Sequence, residues 1–338
     1  MALPRAKLGR DGAEITALGL GTWAMGGGGW SFGWGPQDDA RSVAAVRHAV
    51  ELGVNWIDTA AVYGHGHSEE VVGKAVRELP EAERPYVFTK CGLVWDESRP
   101  MKGTRGDLSP QSIRRECEAS LRRLGLDHID LYQFHWPDET GVPVEESWAA
   151  MSALADEGKV RWCGVSNFSV ELLERCEAVR HVDSLQPPFS LIAREFASRE
   201  LPWCRRHETG VIVYSPMHSG LLTTSFSVER IAAMADDDWR RRDDDFKEPR
   251  LSRNLTLRDL LRPIAERLGA TVEAVAVRWV LEWEGVTGAI VGARSPEQVG
   301  GWMGAATLDL GEKDLDDIAT AIIASQAGAG RERPRLGH

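Results

Sequence analysis

The sequence predicts an α/β fold of the (β/α)8 TIM-barrel class, with an N-terminal β-hairpin and long loops at the C-terminal rim. Three observations predict it. Eight short apolar, strand-like runs are spaced along the chain, amphipathic stretches lie between them, and 338 residues suffice for one such barrel. A doubly wound sheet would call for a Gly-x-Gly-x-x-Gly turn directly between the first strand and its helix. Here Leu20 is followed by Gly21-Thr22-Trp23-Ala24-Met25-Gly26-Gly27-Gly28-Gly29, and no helical pattern resumes before Asp38. The glycines therefore belong to a rim loop.

Taken in order, Asp11-Gly12 between short alternating runs predicts a hairpin over residues 7–15. Strands are expected at 17–20, 55–58, 86–89, 129–134, 160–165, 184–186, 211–214 and 288–291. The stretch 38–52 carries Val43, Val46, Ala49 and Val50 at helical spacing. Residues 109–124 open with Ser109-Pro110, an N-cap followed by a first-turn proline. Helical patterns continue at 144–157, 170–179 and 196–208, and two more, 257–268 and 272–283, precede the eighth strand. Residues 1–325 are expected to form the single barrel domain, and the Gly/Ala then Arg/Pro stretch 326–338 a flexible tail. Three long connections, 25–37, 91–107 and 217–251, fall on the rim where barrel enzymes keep their sites. The third contains an alternating block of charge at 236–245, read as a solvated helix or turn.

Composition narrows the function. The chain is 43% hydrophobic and 27% charged, as soluble globular proteins are. A net charge of −11 argues against a nucleic-acid or anionic-membrane surface. No apolar run approaches the roughly 18–20 residues of a membrane span. Residues 1–10 lack the apolar segment of a signal peptide, so a cytoplasmic location is expected. The five cysteines are scattered without a CxxC pair, which suits reduced thiols. His65 and His67 share a Gly-rich loop, but no Cys or carboxylate completes a metal spacing, and no metal is expected. No pattern reports the oligomeric state.

Four residues stand at the ends of consecutive strand-like runs. Asp58 ends the second, Tyr63 lies in the loop after it, Lys90 follows the third and His135 the fourth. Neighbouring strands lie about 4.8 Å apart, so these side chains can meet at one rim. A phenol, with a pKa of about 10, is a weak acid at neutral pH. A nearby ammonium stabilises its phenolate and lowers that value, a carboxylate holds the ammonium, and an imidazole can donate to the substrate oxygen. The expected roles follow: Tyr63 is general acid in reduction and general base in oxidation.

Three longer segments resemble the signatures of the aldo-keto reductase family. The first runs Gly53-Val54-Asn55-Trp56-Ile57-Asp58-Thr59-Ala60, then Tyr63-Gly64 and Ser68-Glu69. The second is Leu124-Gly125-Leu126-Asp127-His128-Ile129-Asp130-Leu131-Tyr132 with His135-Trp136. The third is Glu157-Gly158-Lys159-Val160-Arg161-Trp162-Cys163-Gly164-Val165-Ser166-Asn167-Phe168. The resemblance extends over residues 8–315 and implies NAD(P)(H) bound without a Rossmann unit, with Asp58, Tyr63, Lys90 and His135 as the catalytic tetrad.

The resemblance also places the nicotinamide carboxamide against Ser166, Asn167 and Gln186, whose groups can donate and accept. Tyr214 would stack on the ring, and Gly21, Thr22 and Trp23 would complete that cleft beside Asp58. The segment Ser215, Pro216, Met217 through Gly220, Leu221 and Leu222 would wrap the pyrophosphate with backbone amides. After the eighth strand, Gly292, Ala293, Arg294 and Gln298 would hold the adenosine 2′-phosphate, Arg294 as its cationic ligand. NADP(H) is therefore expected ahead of NAD(H). Gly301-Trp302 departs from the Glu-Asn of many members, which leaves the adenine edge open.

Trp30, Phe32, Trp34, Trp95 and Trp136 lie on or near the expected rim and suit apolar carbonyls or the faces of sugar rings. The partner implied is a small-molecule carbonyl or its alcohol, including sugars and polyols. Two rival readings share the fold: a redox-sensing regulatory subunit of a membrane channel, and a lyase or epimerase using Tyr63 and Lys90 without hydride transfer.

Overall fold

The computed structural model describes residues 3–334. Eight parallel strands close into a barrel in chain order. They are Leu18–Gly21, Trp56–Asp58, Tyr86–Cys91, Ile129–Phe134, Val160–Ser166, Ser184–Gln186, Gly210–Val213 and Gly288–Gly292. Around them, in chain order, run α1 (Asp39–Glu51), α2 (His67–Arg77), α3 (Pro110–Leu124), α4 (Val144–Asp156), α5 (Val170–Glu177), α6 (Glu200–His207), α7 (Val228–Ala232), α8 (Arg250–Arg267), α9 (Val272–Leu281), α10 (Pro296–Trp302) and α11 (Glu312–Ser325). The expected hairpin forms between Arg5–Lys7 and Glu14–Thr16.

The period-2 alternation of strands explains the barrel interior. Trp56, Phe88, Leu131, Ile212 and Ile290 make an apolar layer, closed from below by Leu8, Ala13 and Ile15 of the hairpin region. Two residues further along their strands come Asp58, Lys90 and Gln133, all buried. They form a polar layer directly above, and Gln186 joins it from the sixth strand. Gly19 makes room for this arrangement, because a Cβ there would lie 2.2 Å from the Trp56 ring. The larger core lies outside the barrel, where Val72 and Val76 of α2, Ile113 and Cys117 of α3, and Trp148 and Met151 of α4 pack against the sheet. Ser109 caps α3 through its side chain, as its place before Pro110 predicts.

Several elements differ from expectation. α2 begins one residue after Gly66, whose φ of 102° hides the start of the helix among loop glycines. α11 was not expected as an element, and α8 begins at Arg250, within a charge-rich stretch. The connection 91–107 contains its own hairpin, Leu93–Trp95 with Thr104–Gly106. The tail expected to be flexible is packed as far as residue 334. Ala329–Gly330 pairs in parallel with Ala193–Arg194, Ala327 is buried, and Arg333 bridges Glu312 and Asp316. Arg194 ties the strip down by donating to Ala327 O at 3.1 Å and Gly330 O at 3.3 Å. Residues 335–338 lie outside the described residues. All five cysteines are free and buried.

Candidate active site

The polar layer at the C-terminal end of the barrel is an ordered network. Lys90 Nζ donates to Asp58 Oδ1 at 2.6 Å and to Thr59 O at 2.9 Å. Gln186 Nε2 donates to Asp58 Oδ2 at 2.8 Å, so both carboxylate oxygens are used. Lys90 Nζ lies 5.4 Å from the centre of the Tyr63 ring. The Tyr63 and His135 rings meet edge to face, 5.6 Å apart at 78°. The four residues therefore come together as their places at strand ends predict.

Protonation follows from burial. Desolvation, more than any charge, pushes the Lys90 ammonium below its ordinary value, while Asp58 works to restore it. Burial, aided by the Lys90 charge, holds His135 well below its ordinary value, so the ring is neutral near pH 7 and has one N–H to donate. Tyr63 departs from expectation. Burial foremost, then the Asp58 charge, raise its phenol well above the ordinary value, where a lowered one was expected. The ammonium expected to lower it is bonded to Asp58 and Thr59 O, and burial of the ring dominates.

The first turn of α2 ties these residues together from behind. Ser68 N–H donates to Tyr63 O at 3.2 Å. Ser68 Oγ meets Thr22 Oγ1 at 2.8 Å and Thr59 Oγ1 at 3.0 Å. Glu69, fully buried, accepts from Thr89 Oγ1 at 2.6 Å and pairs with Arg123 Nε at 2.6 Å. One helical turn thus fixes the Tyr63 loop, the carbonyl that receives Lys90, and the strand that carries Lys90.

Above the network opens a cavity of about 990 Å³. Its inner end is bordered by Gly21, Thr22, Trp23, Asp58, Tyr63, His135, Ser166, Asn167, Gln186 and Tyr214. Tyr214 O–H donates to Asn167 Oδ1 at 2.9 Å, and Asn167 Nδ2 reaches His135 O and Ser166 Oγ, both at 3.0 Å. The cavity continues past Ser215, Pro216, Met217 and Gly220 to Gly292, Ala293, Arg294 and Gln298. Trp30, Trp34 and Trp136 border it, and Trp136 is 46% exposed. Some expected residues do not border it, His218 and Leu222 of the 215–222 segment among them. Lys90 lies beneath the floor, Leu221 is buried behind the loop, and Trp95 backs onto His65, 5.0 Å away and nearly parallel. His67, its neighbour in the Gly-rich loop, pairs with Asp39 at 2.8 Å.

The charged block 236–245 is the main correction. It is not a solvated turn. Trp239 stacks on Trp23 at 5.1 Å, and Trp23 stacks in turn on Tyr63 at 6.2 Å. Buried Asp238 takes Arg240 with both oxygens, and the guanidinium lies 4.3 Å from the Trp34 ring centre. Asp237 accepts Gly29 N–H at 2.8 Å. The signal that could have revealed this was a tryptophan set inside a run of charges, a residue with much to bury in a segment otherwise fit for water. Arg294 also departs from expectation. Its guanidinium donates to Gln37 Oε1 at 2.6 Å, to Trp34 O at 3.3 Å and to Pro36 O, so it clasps the 25–37 loop.

The sequence and its barrel have counterparts in known proteins. Residues 17–323 match the sequence model of the Aldo/keto reductase family. Aldo-keto reductase YhdN of Bacillus subtilis (strain 168) is 37% identical over 312 residues, 92% of this chain and 91% of that protein. The NADH-specific methylglyoxal reductase of Escherichia coli (strain K12) is 33% identical over 334 residues, 95% of this chain and 99% of that protein. Among solved structures, the glycerol dehydrogenase AKR11B4 from Gluconobacter oxydans superposes with a TM-score of 0.85 at 36% identity, each chain fully covered. A family match over nearly the whole chain, relatives of full length and a solved structure that superposes over the whole chain agree: this protein is a member of the aldo/keto reductase family, an NAD(P)(H)-dependent oxidoreductase that interconverts carbonyls and alcohols.

Proposed function

We propose that the chain reduces small carbonyl compounds with Tyr63 as the proton donor, and that NADP(H) is its preferred cofactor. The observation that carries the first part is the Lys90–Asp58 pair buried under Tyr63, with the His135 ring set edge-on to the phenol. The residues present fit a nicotinamide dinucleotide. Asn167, Gln186 and Ser166 offer the donors and acceptors an amide needs. Beyond them Ser215 and Gly220 line a channel whose backbone turns repeatedly into the left-handed region, which points successive amides to one side.

When bound, the cofactor supplies hydride to the carbonyl carbon, or accepts it from the alcohol carbon. The protein handles the proton. Tyr63 O–H donates to the carbonyl oxygen, and the phenolate left behind faces the Lys90 ammonium. Neutral His135 donates an N–H to the same oxygen and fixes its direction. Asp58 and Thr59 O keep Lys90 charged and aimed. Trp23, Trp30 and Trp239 exclude water from the site. In oxidation the phenolate takes the alcohol proton.

Support for NADP(H) is Arg294 beside the first turn of α10, a permanently cationic group at the far end of the cavity. The relatives that act on methylglyoxal and glycerol make small, oxygen-rich carbonyls the first compounds to assay. A cytoplasmic location is proposed on the acidic globular composition and five free cysteines. The test of the chemical reading is Tyr63→Phe. It should abolish carbonyl-dependent oxidation of NADPH while NADPH still binds. Turnover surviving in that variant assigns the proton to another group.

A further inference from the structure

The loop over the cavity starts and ends on one histidine. His218 Nδ1 lies 3.1 Å from Ser190 Oγ, and its Nε2 lies 2.8 Å from Asp245 Oδ2. The residue types are those of a hydrolytic triad, but Ser190 is fully buried. Its Oγ already accepts N–H groups from Ile192 at 3.1 Å and Ala193 at 3.0 Å. Its hydroxyl hydrogen is therefore directed to Nδ1, and the proton on Nε2 goes to Asp245. No nucleophile results. The arrangement is a three-part clasp joining the connection after the sixth strand, the first residues of the 217–251 loop, and the loop's return toward α8.

The clasp sits on a contorted stretch of backbone. Ser215, His218, Ser219 and Gly220 have φ of 55°, 47°, 53° and 100°. Three of these four are not glycine, and such conformations persist only where surrounding contacts impose them. Ser215, Met217, Ser219 and Gly220 border the cavity, whereas His218 does not. Asp245 is itself anchored to α8, accepting from Arg250 Nη1 at 3.2 Å and, through its carbonyl, from Asn254 Nδ2 at 3.1 Å. A chain of contacts thus runs from α8 through Asp245 and His218 to Ser190, and the strained turn is held in its middle.

We infer that His218 is a positioning residue for cofactor binding, which acts through Ser190 and Asp245 to hold the 215–220 backbone in a phosphate-receiving shape. The inference rests on the reading that this segment wraps the pyrophosphate. Without the clasp the turn relaxes, and its amides no longer converge. The effect falls on the dinucleotide and not on the carbonyl, because the tetrad is fixed independently by α2.

The experiment is titration of the full-length protein with NADPH and with NADH, followed by nicotinamide fluorescence, with dissociation rates by stopped flow. His218→Phe fills the volume and removes both hydrogen bonds. It should raise Kd for either dinucleotide about tenfold, mainly through faster dissociation. Carbonyl KM and kcat at saturating cofactor should stay as in wild type. Asp245→Asn keeps an acceptor for Nε2 and should bind within about twofold of wild type. Because the clasp acts as one unit, His218→Phe combined with Ser190→Ala should be no weaker than His218→Phe alone. Wild-type affinity in His218→Phe, or additive losses in the double variant, would overturn the clasp while leaving the cofactor site standing. Failure of the wild type to bind either dinucleotide would remove both readings.

Discussion

Replacing Lys90 by methionine keeps most of the buried volume and removes the charge, so it isolates the ammonium's electrostatic role. The Nζ stands 5.4 Å from the centre of the Tyr63 ring. At an effective dielectric of about 20, that separation is worth about 3 kcal/mol in favour of the phenolate. Reduction forms the phenolate as the proton leaves, and oxidation requires it from the start. Losing about 3 kcal/mol in the transition state slows kcat by about two orders of magnitude in either direction. The rising, acid-side limb of the oxidation profile should also move to higher pH, since the phenolate forms less readily without the cation. There is a structural cost as well. Asp58 Oδ1, 2.6 Å from Nζ, loses its partner, while Oδ2 keeps Gln186 at 2.8 Å. Breaking a buried pair on one side costs about 3–5 kcal/mol of stability. Combining Lys90→Met with Asp58→Asn removes the orphaned charge and should restore stability without restoring rate. The assay is steady-state turnover in both directions across pH, with urea denaturation in parallel. Turnover of Lys90→Met within about threefold of wild type, or recovery of rate in the double variant, would refute the electrostatic account.

Glu116 of α3 accepts Gly92 N–H at 3.0 Å and Ser112 Oγ–H at 2.9 Å, and burial pushes its carboxyl up to about 7. A carboxyl with a raised folded pKa stabilises most below its unfolded value, near 4.5, and that stability drains away as pH climbs to about 7. Glu116→Gln should flatten the decline and be about 3 kcal/mol more stable than wild type at pH 8; equal slopes in denaturation at acid and alkaline pH would contradict the assignment. Gly19→Ala sets a Cβ 2.2 Å from the Trp56 ring and should cost at least about 1–3 kcal/mol in thermal or urea unfolding. Arg294→Ala should weaken NADPH use far more than NADH use in steady-state kinetics. Equal losses for both cofactors would mean that Arg294 serves the 25–37 loop through Trp34 and Gln37, and not a phosphate.

How far the sequence could be read tracks how local each feature is. The eight barrel strands were legible because a buried parallel strand is a short apolar run, and the polar layer comes from residues two apart from the apolar one, as in Trp56/Asp58, Phe88/Lys90 and Leu131/Gln133. The meeting of the four side chains was legible for the same reason, since Asp58, Lys90 and His135 stand at or just beyond neighbouring strand ends. α2 was missed because its start lies at Gly66, and the packed strip 327–333 because Gly, Ala and Arg carry no apolar period. That strip is held by Arg194, 133 residues away from Ala327 in the chain, through carbonyls that no composition reveals. Tyr63's raised pKa was missed because residue types alone do not say how deeply the folded rim buries a phenol.

The rim obeys a different logic from the strands, and this divides the enzyme's chemistry between two kinds of information. The Asp58–Lys90–Tyr63–His135 arrangement depends on hydrogen-bonded register, which tolerates almost no variation without breaking the barrel. The Trp23–Trp239 stack depends on two loops that meet across about 200 residues of chain, joined by Asp237 to Gly29 and by Trp239 N–H to Gly33 O at 3.3 Å. Trp239 finds its stacking partner only across that gap, whereas Trp23 also packs on Tyr63 and Trp34. The stack rests on Tyr63 through Trp23. Any change in the 217–251 loop that moves Trp239 therefore alters the wall beside Tyr63 while leaving the Lys90–Asp58–Gln186 hydrogen bonds in place. Selectivity can be altered there while proton transfer is preserved, because the wall of the pocket and its floor are stabilised by separate sets of contacts.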